Sequence, residues 1–123
     1  MTHAIFVYGS LRSGERNHGV LGGALCIGDA RTEPRFTLHD LGAFPGLVAG
    51  GASHVHGDVY AVDAGTLAAL DRLEGHPRYY RRAPIRLEDG REVETYLLTA
   101  RQVVGCPIVE SGDWRAYRRE RGR

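Results

Sequence analysis

One glutamate stands where a helix ought to carry an apolar side chain. Residues 63–74, DAGTLAALDRLE, read as an amphipathic helix with Asp63 as its N-cap and Gly75, followed by Pro77, as its stop. At about 100° per residue, with Leu67 set at zero, Leu70 falls near about −60° and Glu74 near about −20°. Glu74 therefore lies between two leucines on the face that must turn inward. It is also the last helical residue, where the helix dipole disfavours negative charge. Both effects raise a carboxyl pKa, and a carboxyl titrating near neutrality suits general acid/base work. The competing reading leaves Glu74 in solvent at a fraying helix end, paired with Arg78 or Arg81. Asp71 and Arg72 fall at or beyond the edge of the apolar face and read as ordinary solvated charges.

A second stretch, VYGSLRSGERNHGVL at residues 7–21, has Gly9 and Gly14 at the spacing of a phosphate-cradling loop. That chemistry fails on its neighbours. Gly14 is followed by Glu15 and Arg16, so a carboxylate stands where the phosphate-neutralising lysine belongs, and no G-x-G-x-x-G is present. A simpler role survives: the backbone N–H groups of Gly9, Ser10 and Leu11 can form a nest for a carboxylate or an oxyanion. Gly9 would let a ligand approach the backbone closely. The alternative is a plain strand-to-helix turn with a serine cap. Asn17, the sole asparagine, is placed to brace the loop through its side chain.

Other chemistries are excluded or weak. All 16 basic residues are arginines, so lysine Schiff-base and lysine-base mechanisms are ruled out. Cys26 and Cys106 fit no metal or redox spacing, and Cys106, beside Pro107, reads as a buried structural thiol. Ser10 lacks the G-x-S-x-G context of a nucleophile. His54 and His56 can share a strand face, but no third ligand stands out, so no metal and no cofactor is expected. A net charge of +1 gives no strong attraction for nucleic acid or an anionic membrane. The tail WRAYRRERGR interleaves aromatics with five arginines; RNA contact is the minor reading and a solvated terminal helix, pinned by Trp114 and Tyr117, the major one. With no apolar run of membrane-spanning length and no signal-peptide pattern, a cytoplasmic protein is expected, a monomer or weak homodimer.

The elements that must position these residues follow from pattern and punctuation. The 123 residues suffice for one modest core, taken as one domain over residues 1–119 with a frayed, Arg-rich tail at 120–123. The run at residues 4–8 is continuously apolar and predicts a strand buried on both faces. A short helical turn is expected at residues 15–21. Residues 24–61 read as several short strands, with turns at Gly28-Asp29, Gly42 and Gly50-Gly51. After the helix, strands at residues 82–87 and 92–99 are joined by a tight turn at Asp89-Gly90. A helix at residues 113–119 closes the chain. The fold class expected is α+β: a small mixed, mostly antiparallel β-barrel with one or two flanking helices.

Several of these stretches together resemble the gamma-glutamylcyclotransferase-like family, which includes gamma-glutamylamine cyclotransferases and the avirulence-induced proteins of plants. The resemblance rests on Val7-Tyr8-Gly9-Ser10-Leu11 with Gly14 and Asn17, on Phe44-Pro45-Gly46, and on His56-Gly57-Asp58-Val59-Tyr60. It continues through Leu70-Asp71-Arg72-Leu73-Glu74-Gly75, Tyr79-Tyr80-Arg81 and Ser111-Gly112-Asp113-Trp114. It implies a small α/β barrel with a central cavity and a small-molecule gamma-glutamyl substrate. Residues Tyr8, Gly9, Ser10 and Leu11 would hold the gamma-glutamyl group, and Glu74 would be the catalytic acid/base. Tyr80 and Tyr96 fall where the family places tyrosines beside the pocket, with Tyr79 competing for the place of Tyr80. The activity implied is release of 5-oxoproline and a free amine. A protein of this shape that only binds such a carboxylate-bearing metabolite is the alternative.

Overall fold

The computed structural model describes residues 2–12, 15 and 17–121, so Gly14 of the glycine pair, together with Ser13, Arg16 and the last two tail residues, lies outside the described residues. Seven strands form one mixed sheet: β1 (His3–Val7), β2 (Leu25–Arg31), β3 (Phe36–Asp40), β4 (Pro45–Ala49), β5 (His56–Val62), β6 (Arg81–Arg86) and β7 (Glu92–Leu97). Two helices accompany them, α1 (Ala64–Glu74) and α2 (Trp114–Arg121), with short 3-10 turns at His18–Leu21 and Arg101–Val103. The sheet order is β2-β5-β1-β7-β4-β3, with β6 paired to β7 off that path. Pairing is antiparallel except for β1 and β4, which each run parallel to β7. The expected barrel is incomplete. The ring β2-β5-β1-β7-β6 is drawn together by a lone bridge between Thr32 and Leu87, and the sheet stays open.

The apolar run at the N-terminus is buried on both faces for a visible reason. Ile5 and Val7 point into one core cluster, with Leu67 and Leu70 of α1 and with Tyr60, Val62 and Tyr96. Phe6 and Tyr8 point into the other, with Leu47, Val59, Val93 and Trp114 of α2. A strand covered on both sides has no polar face to show, which is why the sequence does not alternate there.

Helix α1 starts and ends as its residues dictate. Asp63 accepts the N–H of Thr66 at 2.7 Å, and Gly75 takes the left-handed conformation at φ 69° that ends the helix. The β6–β7 hairpin turns at Asp89-Gly90, where Gly90 has φ 92°. One turn assignment is corrected: Gly28-Asp29 lies inside β2, where the register against β5 shifts between Cys26 and Gly28. A glycine in a strand here marks a bulge rather than a chain reversal. Helix α2 runs two residues beyond the expected end, to Arg121. Cys106 is partly buried against the core and Cys26 is exposed.

The feature that creates the site is a fork in the sheet. β6 takes one edge of β7 along its full length. The other edge is shared: β1 pairs at Ile5 with Glu94, and β4 takes over at Leu47 with Leu97. Where β1 leaves β7, the chain passes into residues 8–11.

Candidate active site

The fork opens a cavity of about 270 Å3, just under the ~300 Å3 at which small-molecule sites usually begin. Its wall contains every site residue expected from the sequence: Glu74, Tyr8, Gly9, Ser10, Leu11, Tyr80 and Tyr96. Tyr79 lines it as well, so the competition between the two adjacent tyrosines is not exclusive. Asn17, Phe44, Pro45 and Leu73 complete much of the rest.

Tyr8 closes the fork. Its buried hydroxyl donates to the carbonyl of Tyr96 at 2.6 Å and accepts the N–H of Leu47 at 3.2 Å. These are the groups that β1 and β4 leave unpaired where one strand gives way to the other, so the phenol replaces a missing ladder bond. Gly9 comes next. The sequence reading gives its missing side chain to a ligand, whereas the structure gives it to Pro45: a Cβ there would sit 2.8 Å from the proline Cγ. Among the described residues no group accepts the N–H of Gly9, Ser10 or Leu11. Three adjacent donors lining a cavity suit an anion.

The loop is held from behind. Asn17 donates from its side-chain amide to Ser10 Oγ at 2.9 Å and from its backbone to the Ser10 carbonyl at 2.8 Å, the bracing expected of it. His18 Nδ1 meets the Leu11 carbonyl at 3.0 Å. The buried Arg12 forks onto Asp58 of β5 at 3.3 and 3.4 Å and reaches Asp113 at 3.5 Å. Glu15 pairs with Arg118 and, at 3.6 Å, with Arg115 of α2. The C-terminal helix is thus no mere solvated tail: its basic face fixes the site loop, while Trp114 is buried and Tyr117 donates to Asp40 at 2.6 Å.

Opposite the loop, α1 is latched to the hairpin by Asp71. That carboxylate accepts from Tyr96 at 2.6 Å and from Arg82 at 3.0 and 3.2 Å, and Arg82 also donates to Glu94 at 2.6 Å. Asp71 is therefore a structural ion rather than the solvated charge expected. Burial alone would raise its pKa, yet the bonds from Arg82 and Tyr96 hold it below the usual carboxylate range. The segment after α1 folds back, with the Tyr80 N–H donating to the Glu74 carbonyl at 3.2 Å, which brings Tyr80 beside the cavity.

Glu74 sits on this frame, half-buried, and no donor reaches its carboxyl among the described residues. Leu67 and Leu70 flank it in the core, as the wheel requires. Neither Arg78 nor Arg81 pairs with it. Desolvation pushes its pKa up from the ordinary 4.5 to about 7. Three phenols stand near enough to feel its charge. Burial first, and the Glu74 carboxylate after it, raise Tyr80, and the same charge adds to the raised pKa values of Tyr8 and Tyr96. Each phenol sends its single proton elsewhere: Tyr8 to the Tyr96 carbonyl, Tyr80 to the Pro45 carbonyl at 2.6 Å, and Tyr96 to Asp71. None of these phenols therefore has a proton left to offer the carboxyl. That arrangement explains why its charge is unsupported, and it favours an incoming N–H donor.

His54 and His56 do not form a metal pair with a third ligand; His54 Nδ1 lies 2.8 Å from the Thr32 carbonyl, and no cluster of three metal-ligating side chains occurs among the described residues. None of the described helices is long and apolar enough to cross a membrane.

Residues 5–116 match the model of the family described as gamma-glutamyl cyclotransferase, AIG2-like. A Vibrio cholerae protein provisionally named a gamma-glutamylcyclotransferase is 47% identical over 115 residues, covering 93% of this chain and 96% of its own. The gamma-glutamylcyclotransferase family protein YtfP of Escherichia coli K12 is 39% identical over 110 residues, covering 89% and 94%. The crystal structure of an AIG2-like protein from Mus musculus superposes with a TM-score of 0.73 at 31% identity, covering 91% of this chain and 88% of that one. The fork, the loop and the helix-end glutamate therefore belong to a chain of the gamma-glutamyl cyclotransferase, AIG2-like family.

Proposed function

We propose that the protein is a gamma-glutamyl cyclotransferase, converting a gamma-glutamyl amine or amino acid into 5-oxoproline and a free amine, with Glu74 as general acid/base. The observation that carries this reading is the juxtaposition in one cavity of an unpartnered carboxyl with a pKa of about 7 and a loop with three unclaimed N–H donors.

The reaction needs little beyond positioning and proton transfer. The substrate's α-nitrogen attacks its own γ-carbonyl carbon, the new C–N bond closes a five-membered lactam, and the bond to the leaving nitrogen breaks. Holding both ends of one flexible molecule together removes most of the entropic barrier. Glu74 takes a proton from the α-ammonium, freeing the attacking lone pair, and returns it to the departing nitrogen; the second proton, shed by the ring nitrogen as the lactam forms, follows the same route, so the amine leaves as its ammonium ion. A pKa near 7 suits a group that must do both. The acceptor-only oxygens of Tyr8, Tyr80 and Tyr96 favour the ammonium end of the substrate beside Glu74. The donors of Gly9, Ser10 and Leu11 face the opposite demand, a carboxylate or the oxyanion that develops on the γ-carbonyl.

Incubating the wild-type protein with a panel of gamma-glutamyl amines and amino acids and measuring 5-oxoproline tests this. Release of 5-oxoproline with equimolar amine is expected. Tight binding by calorimetry with no product from any member would favour a protein that captures such a metabolite without turning it over.

A further inference from the structure

A second cleft, of about 480 Å3, adjoins the cavity and shares Tyr79 with it as a common wall. Its floor is apolar, made by Val48, Leu97 and Leu98, and its rim carries Arg78 and Arg81. No acidic side chain lines it. Among the described residues neither arginine has an ion-pair or side-chain hydrogen-bond partner. A third cleft, elsewhere on the surface, differs in kind. There three arginines, Arg12, Arg31 and Arg91, face four carboxylates, Asp29, Glu88, Asp89 and Asp113, so the positive charge is more than offset. Beside the cavity the positive charge is uncompensated, on a chain whose net charge is only +1.

The backbone between the two arginines is pinned at Tyr79. The N–H of Tyr79 donates to the Gly75 carbonyl at 2.9 Å, and its carbonyl accepts from Gln102 at 2.8 Å. The Tyr79 ring is held edge-on by Phe44, with centroids 6.2 Å apart, and by Tyr80 at 5.2 Å. Tyr79 is itself half-exposed, so it forms a low wall between the two spaces rather than a seal.

On the cyclotransferase reading, the glutamyl part of the substrate fills the Glu74 cavity and the leaving amine must extend past its edge. We infer that the leaving amine crosses Tyr79 into the adjoining cleft and carries a carboxylate there, read by Arg78 and Arg81. A guanidinium offers a planar pair of donors matched to a carboxylate, and the apolar floor accommodates the carbon stem that bears it. The two arginines are specificity-determining residues; they touch the leaving group and not the reacting atoms.

The test compares compounds that differ only by the carboxylate: gamma-glutamylglycine against gamma-glutamylmethylamide, and gamma-glutamyl-4-aminobutyrate against gamma-glutamylpropylamide for a longer reach. Calorimetry on the Glu74→Gln protein measures affinity without turnover. In at least one pair the carboxylated compound should bind about three- to tenfold more tightly, as expected for partly exposed arginine–carboxylate pairs, and the advantage should shrink in high salt. The ratio should fall to about 1 in Arg78→Gln/Arg81→Gln and survive in part in Arg78→Lys/Arg81→Lys. Equal affinities in both pairs, or a ratio unchanged by the glutamine pair, would overturn the assignment. Because affinity is read without chemistry, a preference for the carboxylate supports the subsite even if the wild-type protein releases no 5-oxoproline.

Discussion

Replacing Glu74 by glutamine should stabilise the folded protein in mildly alkaline solution and leave it nearly unchanged in acid. The folded-state pKa of about 7 lies above the ordinary 4.5, so the folded protein holds this proton more tightly than the unfolded chain does. The contribution to stability is therefore whole below pH 4.5 and is lost as pH rises through 7. Above that window the ionised carboxylate costs about 3 kcal/mol, each pKa unit being worth about 1.4 kcal/mol. That figure is an upper bound, because Glu74 is only half-buried and water entering the cavity relieves part of the cost. Glutamine keeps the shape and carries no charge. The variant should match the wild type within about 0.5 kcal/mol at pH 4 and exceed it by about 1–3 kcal/mol at pH 8. Urea denaturation at pH 4, 6 and 8, followed by fluorescence of the single and buried Trp114, measures it directly. Contributions common to both proteins cancel in the difference between variant and wild type. A difference that does not change with pH, or a variant weaker than wild type at pH 8, would refute the environment assigned to Glu74.

Two further perturbations probe the frame. Tyr8→Phe strips the partner from the Tyr96 carbonyl and from the Leu47 N–H, both buried, and should lower stability by about 2–4 kcal/mol as a shift of denaturant midpoint at constant slope; a loss under about 1 kcal/mol would deny the phenol its place at the fork. Gly9→Ala forces a Cβ to within 2.8 Å of Pro45, the same proline whose carbonyl holds Tyr80, and should cost about 1–3 kcal/mol and slow turnover. Gly23→Ala, where nothing lies within 4 Å, is the control that should cost little, and equal effects of the two substitutions would contradict the packing argument.

What the sequence made legible was local. Asp63 and Gly75 bracket α1 because caps act within one turn, and the position of Glu74 follows from counting along that helix. The apolar run of β1 announced burial on both faces, and Asp89-Gly90 announced a hairpin. What stayed hidden depends on partners far along the chain. Asp71 reads as a surface charge until Tyr96, 25 positions away, and Arg82 are brought to it. Arg12 meets Asp58 across 46 residues, and the Tyr8 hydroxyl meets Tyr96 across 88. The fork itself is a property of strand pairing, and no residue type at Ile5 or Leu47 signals that both must share one edge of β7. Gly28 misled because a bulge and a turn ask for the same residue. The interleaved arginines of α2 read as a solvated or nucleic-acid-facing surface, since their partner Glu15 belongs to a loop a hundred residues earlier.

The central claim is that Glu74 moves the proton in lactam formation. Its most direct test is the rate of 5-oxoproline release by Glu74→Gln beside the wild type, on whichever gamma-glutamyl compound the wild type turns over fastest. Glutamine preserves the cavity but can neither accept the ammonium proton nor return it, so kcat should fall by about 10²–10⁴-fold while KM changes only a few-fold. A Glu74→Gln protein that releases 5-oxoproline at the wild-type rate would contradict the account.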